Sequence, residues 1–150
     1  MAHQNEIKSI AEKYNAKFIE WDEMETKYSV HYQNKLKNET PKVFQNAMLN
    51  DIYRDKDKIY ASFDYFDDIF FSNLIIELDN EQMQRIINET VDDYFPYISL
   101  IVSVIDVVKP KFMLDSYVDG ENSEIEINTD SSLIIYGKLI DYKYFKESED

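Results

Sequence analysis

The chain has 150 residues, of which thirty are acidic and sixteen basic, for a formal net charge of −14, and it contains no cysteine, two histidines and two glycines. Those counts argue against disulfide staples, zinc fingers, iron–sulfur ligation, thiol catalysis and glycine-rich phosphate loops. A 44% hydrophobic fraction with 15% aromatics is still well above that of chains kept disordered by charge, so a folded acidic protein is expected.

The length suits a single domain over residues 1–150, able to bury around 68–70% of the surface its unfolded form exposes. The start, Met1-Ala2-His3-Gln4-Asn5-Glu6, lacks the basic and apolar stretches of a secretory leader. The most apolar run, 97–108, is interrupted by Ser99, Ser103 and Asp106 and is well short of the ~20 residues that span a bilayer. An acidic protein is also repelled by anionic lipid and by phosphates. The expectation is a cytoplasmic protein that engages neither membrane nor nucleic acid directly. Abundant Ile, Lys, Asn and Tyr beside little Gly and Pro is what AT-rich coding produces, which points to a bacterial or phage source.

In chain order, Ile7, Ile10, Ala11 and Tyr14 recur at helical spacing and predict a helix over 5–15. Residues 17–21 and 27–32, with Tyr28, Val30 and Tyr32 alternating, predict a hairpin. Thr40-Pro41 reads as a helix start, and Val43, Phe44, Ala47, Met48 and Ile52 would share one face of a helix ending near Tyr53. Ile59, Ala61, Phe63 and Tyr65 alternate with Tyr60, Ser62 and Asp64 as in a strand, with a second strand over 73–77. Asp79 suits the N-cap of a helix that turns Met83, Ile86, Ile87, Val91 and Tyr94 inward, and Pro96 ends it. In 97–108 the polar residues fall four and three apart, predicting a buried helix that begins near Pro96. Strands follow at 112–118, 124–127 and 133–144, with turns at 119–122 and 128–130. Gly137 marks a bulge or a close backbone approach, and 146–150 is an acidic tail. The sum is an α+β fold, a mostly antiparallel sheet packed against about four helices.

The densest acid–aromatic cluster runs from Phe63 to Phe71. Carboxylates against apolar rings are the setting for a raised-pKa catalytic acid, but neighbours in sequence do not converge on a substrate. The plain reading is a hairpin with rings inward and acids in water. A recognition role suits Asp64, Tyr65, Phe66, Asp67, Asp68 and Phe70, whose rings and carboxylates together fit a partner rich in Arg and Lys. His31 has no second His or Cys beside it, and Tyr117 breaks the ligand alternation a calcium loop would need over 115–124, so neither metal nor cofactor is expected.

Acidity also raises DNA mimicry. A chain of this length has a radius of gyration near 15 Å, hence a width of about 40 Å, across which duplex DNA shows roughly 23 phosphate charges. A net charge of −14 spread over all faces falls short of that, and basic residues interspersed at Lys35, Lys37, Lys42, Arg54, Lys56 and Lys58 weaken the case further.

The stretch Glu81-Gln82-Met83-Gln84-Arg85-Ile86-Ile87, followed by Phe95-Pro96-Tyr97 and an apolar run, resembles the segment before and within the first long helix of SecB-type export chaperones. That resemblance implies a tetrameric holdase that binds unfolded chains through aromatic grooves. Ile98-Ser99 departs from the Arg usual in that family, the Gly- and Pro-rich lid is missing, and strands replace the final helix.

The leading expectation is a non-enzymatic protein that occupies a basic surface of a partner protein, as inhibitors, immunity proteins and phage anti-defence proteins do. A SecB-like holdase, a phage structural or assembly component and a DNA-mimic inhibitor are the alternatives. Assembly with copies of itself stays open.

Overall fold

The computed structural model describes residues 4–19, 30–66, 71–110, 113–119, 122–128 and 133–145, with backbone alone for His31, 113–119 and 122–128. The elements are α1 (Gln4–Lys13), β1 (Lys17–Phe18), α2 (Val30–Asn38), β2 (Lys42–Asp55), β3 (Lys58–Phe66), β4 (Phe71–Leu78), α3 (Asn80–Thr90), β5 (Tyr97–Val108), β6 (Met113–Asp119), β7 (Asn122–Asn128) and β8 (Leu133–Tyr144). This is an α+β fold with three helices among the described residues.

Strands β2, β3, β4, β8 and β5 hydrogen-bond in that order, and the first half of β2 returns to pair with β5, which closes a five-stranded barrel. All ring pairings are antiparallel except β4 with β8. A long first strand shared between two neighbours, with a helix between the third and fourth barrel strands, is the connectivity of an OB-fold, a small Greek-key barrel. Strands β6 and β7 form a separate two-stranded ribbon between β5 and β8.

The barrel is filled by alternate residues of each strand: Phe44, Ala47, Ala61, Phe63, Leu74, Ile76, Ile98, Leu100, Val102, Leu133, Ile135 and Leu139 are all buried in one cluster. Each large side chain removed from water contributes about 1.5–3 kcal/mol. Outside the barrel, α1 lays Ile7, Ile10 and Ala11 on Val43 and Ile101. Asn15 ends that helix in the left-handed region (φ 53), with the Ala16 amide returning 2.8 Å to the Ala11 carbonyl. The α2 helix inserts Tyr32 and Leu36 into the main core.

Helix α3 spans the 139–144 half of β8. Its N-terminus carries the expected cap: Asp79 Oδ1 accepts from the Gln82 amide at 2.7 Å, and Gln82 Oε1 accepts from the Asp79 amide at 2.9 Å. Gln82 Nε2 donates to the Leu139 carbonyl, the Arg85 guanidinium lies 5.3 Å from the Tyr142 ring centroid, and the Tyr142 hydroxyl donates to Glu89 at 3.0 Å.

Three expected elements are different in the structure. The described ends of the hairpin expected over 17–32 are different: β1 is short and parallel to β2, and Val30 to Tyr32, including His31, open α2, while residues 20–29 lie outside the described residues. Tyr32 and Leu36, four apart, are the buried stripe that sets this helix. The predicted helix over 40–53 is strand β2. Its core contacts Phe44, Ala47, Leu49 and Ile52 are spaced three, two and three because register shifts between Phe44 and Ala47 and between Leu49 and Asp51 insert extra residues, imitating a helical period. Thr40, instead of capping a helix, accepts from the Val104 amide at 2.8 Å.

The predicted buried helix over 97–108 is strand β5. Ile98, Leu100 and Val102 face the barrel while Ile101 is buried under α1, so burial on both faces erases the alternation that marks a strand. Ser99, part of the supposed polar stripe, has its hydroxyl 3.2 Å from the Asn46 amide and accepts from it, holding the β2 bulge where Asn46 takes a positive φ of 57. With β5 extended, residues 97–108 do not form the long helix that the SecB resemblance implies for them.

Candidate protein-binding surface

The β3–β4 hairpin places the predicted recognition residues by simple alternation. Phe63 and Tyr65 turn into the barrel, where Tyr65 meets Phe44 edge-on with ring centroids 5.2 Å apart. Tyr65 therefore braces the hairpin from inside and is unavailable to a partner. Asp64 and Phe66 turn outward. The Asp64 carboxylate accepts from Asn73 Nδ2 at 3.1 Å, and Phe66 is 71% exposed, its ring centroid 6.4 Å from that of Phe71. Asp67, Asp68 and Phe70 lie outside the described residues.

Strand register extends this surface beyond the hairpin. Met48 pairs with Asp64 on one side and with Tyr97 on the other. Neighbouring strands lie about 4.8 Å apart, so Tyr97 and Asp64 are about 10 Å apart at Cα on the same outer face. Tyr97 is exposed, while Ile98 beside it is buried. The loop before Tyr97 is tied down by the Leu49 amide donating to the Pro96 carbonyl at 2.9 Å.

That loop leads to the end of α3, where the expectation of inward apolar residues holds for only one stripe. Met83, Ile86 and Thr90 face the barrel, and the Thr90 hydroxyl donates to the Ile86 carbonyl at 2.7 Å. Ile87 and the C-cap Val91 lie on the adjacent side and are exposed, Val91 at 73%; Tyr94 at 92% and Phe95 at 62% follow beyond the end of the helix. The Tyr94 and Phe95 ring centroids are 5.5 Å apart. Asp93 fixes the corner, accepting from the Tyr144 hydroxyl at 2.6 Å and from the Phe95 amide at 3.2 Å. A helical wheel shows both stripes, but only packing against the rest of the fold decides which is covered.

The lower part of the outer face is also aromatic and acidic. Tyr53 and Tyr60 stack with centroids 5.7 Å apart, and partial burial, then Tyr60, Asp55, Tyr136 and Asp51, push the Tyr53 hydroxyl above the usual tyrosine range. Lys58 is held 3.3 Å from Glu77.

Tyr142 supplies a pH test of how α3 is held. Burial first, then its hydrogen bond to Glu89, raises its pKa well above the ordinary tyrosine value. The unfolded chain therefore loses this proton first as pH rises, and the contribution to stability, complete below about pH 10, is lost as pH climbs toward the folded-state value. Tyr142→Phe is expected to make thermal stability less steep in pH above about 10, measured by melting across an alkaline series.

Among the described residues, no three His, Asp or Glu side chains gather as metal ligands, and no helix is long and apolar enough to cross a membrane. No protein family, curated protein or solved structure matches the chain.

Proposed function

We propose that this chain is a non-enzymatic binding protein that occupies a basic surface of another protein. The observation that carries the reading is the outer-face row linking Tyr97, Met48, Asp64 and Phe66, exposed rings and a carboxylate held on rigid strands. A net charge of −14 speeds encounter with a positive partner, and desolvated aromatics supply the contacts that slow its departure. OB-type barrels commonly use the outer face of these strands for oligonucleotides, but fold does not dictate ligand. Here Asp51 and Asp64 lie on the strands of that face and Lys58 is taken up by Glu77, an arrangement that opposes phosphate binding.

The test is kinetic, on the partner recovered from the host. Association should slow as salt rises, and the triple variant Asp64→Asn, Asp67→Asn, Asp68→Asn should slow it at low salt by about tenfold, with dissociation little changed. Phe66→Ala should instead speed dissociation, about tenfold if the ring is an anchor. Equal association rates for the triple variant and the parent protein at low salt would remove the hairpin from the interface. Binding of many unfolded chains with little salt dependence would favour a holdase.

A further inference from the structure

The end of α3 bears on what kind of side chain a partner would bring, provided that the protein does bind a basic partner. Carbonyls in the last turn of a helix carry partial negative charge, which chains usually offset with Lys or Arg nearby or with a left-handed glycine just beyond. Helix α3 has neither: its last turn holds no basic residue, and Val91 follows in right-handed geometry at φ −57 and ψ −33. Asp92 and Asp93 come next, so two carboxylates add to the negative pole. Asp93 is engaged by Tyr144 and Phe95, whereas Asp92 makes no ion pair among the described residues. Against this pole stand the exposed Val91, Tyr94 and Phe95.

We propose that this corner, from the C-terminal turn of α3 to Tyr97, receives an arginine-bearing segment of the partner. A guanidinium can stack on the Tyr94 or Phe95 ring while donating toward Asp92 and the helix carbonyls, and its aliphatic stem covers Val91. An ammonium meets the same charge but has no plane to stack. A second copy of this chain is the poorer occupant, because two copies that each carry −14 repel at long range.

The probe is a short synthetic peptide of alternating arginine and alanine, compared with its lysine and glutamate counterparts, titrated into the ¹⁵N-labelled protein. The arginine peptide should shift amides of residues 87–97 and bind at least about threefold tighter than the lysine peptide, and the glutamate peptide should not bind. The double variant Tyr94→Ala, Phe95→Ala should weaken arginine-peptide binding by about tenfold, with folding checked by circular dichroism because both rings are exposed. At 1 M salt, where screening acts over about 3 Å, binding should weaken while the preference for arginine persists. Shifts centred on residues 62–66 would overturn the corner but leave the basic-partner reading standing. Equal binding by the double variant would reduce the effect to diffuse charge and overturn the corner as well. No binding of either basic peptide at low salt would remove both readings.

Discussion

Gly137→Val is expected to destabilise the protein by about 3 kcal/mol or more, lowering Tm by roughly 6–12 °C. Gly137 lies on the inward face of β8, paired with Ile76 on one side and Val104 on the other, where β5 bulges between Val104 and Asp106. A β-carbon there would lie 2.8 Å from the Ser103 carbonyl oxygen and collide with a Val102 methyl. The methyl could turn away, but the carbonyl belongs to a strand paired along its length and cannot. Gly137→Ala should already show much of the loss. If calorimetry finds Gly137→Val melting with the parent protein, the barrel is not closed tightly at this point.

What the sequence made legible follows from which elements keep one clean period. Residues 59–65 alternate strictly because β3 faces the core on one side and solvent on the other, so both the strand and the outward direction of Phe66 could be read from spacing. The Asp79 cap was legible because it needs only residues three apart. β2 and β5 were not, since their bulges turn a period of two into intervals of two and three, and β5 lacks a solvent face where α1 covers it. The corner at Tyr94 was hidden for a different reason. Its residues satisfy the rule for a buried stripe, but the helix ends at Thr90 and Val91, Tyr94 and Phe95 stay exposed.

The sharpest test of that architecture compares two isoleucines four residues apart. A helix over 97–108 would put Ile101 and Ile105 on the same face, and aspartate at either position would be equally damaging. In strand β5, Ile101 is 1% exposed beneath Ile7, Ile10 and Ala11 of α1, whereas Ile105 is 64% exposed beside the bulge. Ile101→Asp is therefore expected to cost about 4 kcal/mol or more, because an unpaired carboxylate would sit between the sheet and α1. Set against a total stability of about 5–15 kcal/mol, that loss removes from about a quarter to most of what holds the protein folded. Ile105→Asp should change stability by less than about 0.5 kcal/mol, since its side chain is already in water. Denaturant titrations of the two variants are the test: similar losses would place both residues on one buried face, as in the helix, while a wide gap is the outcome that the extended, bulged strand demands.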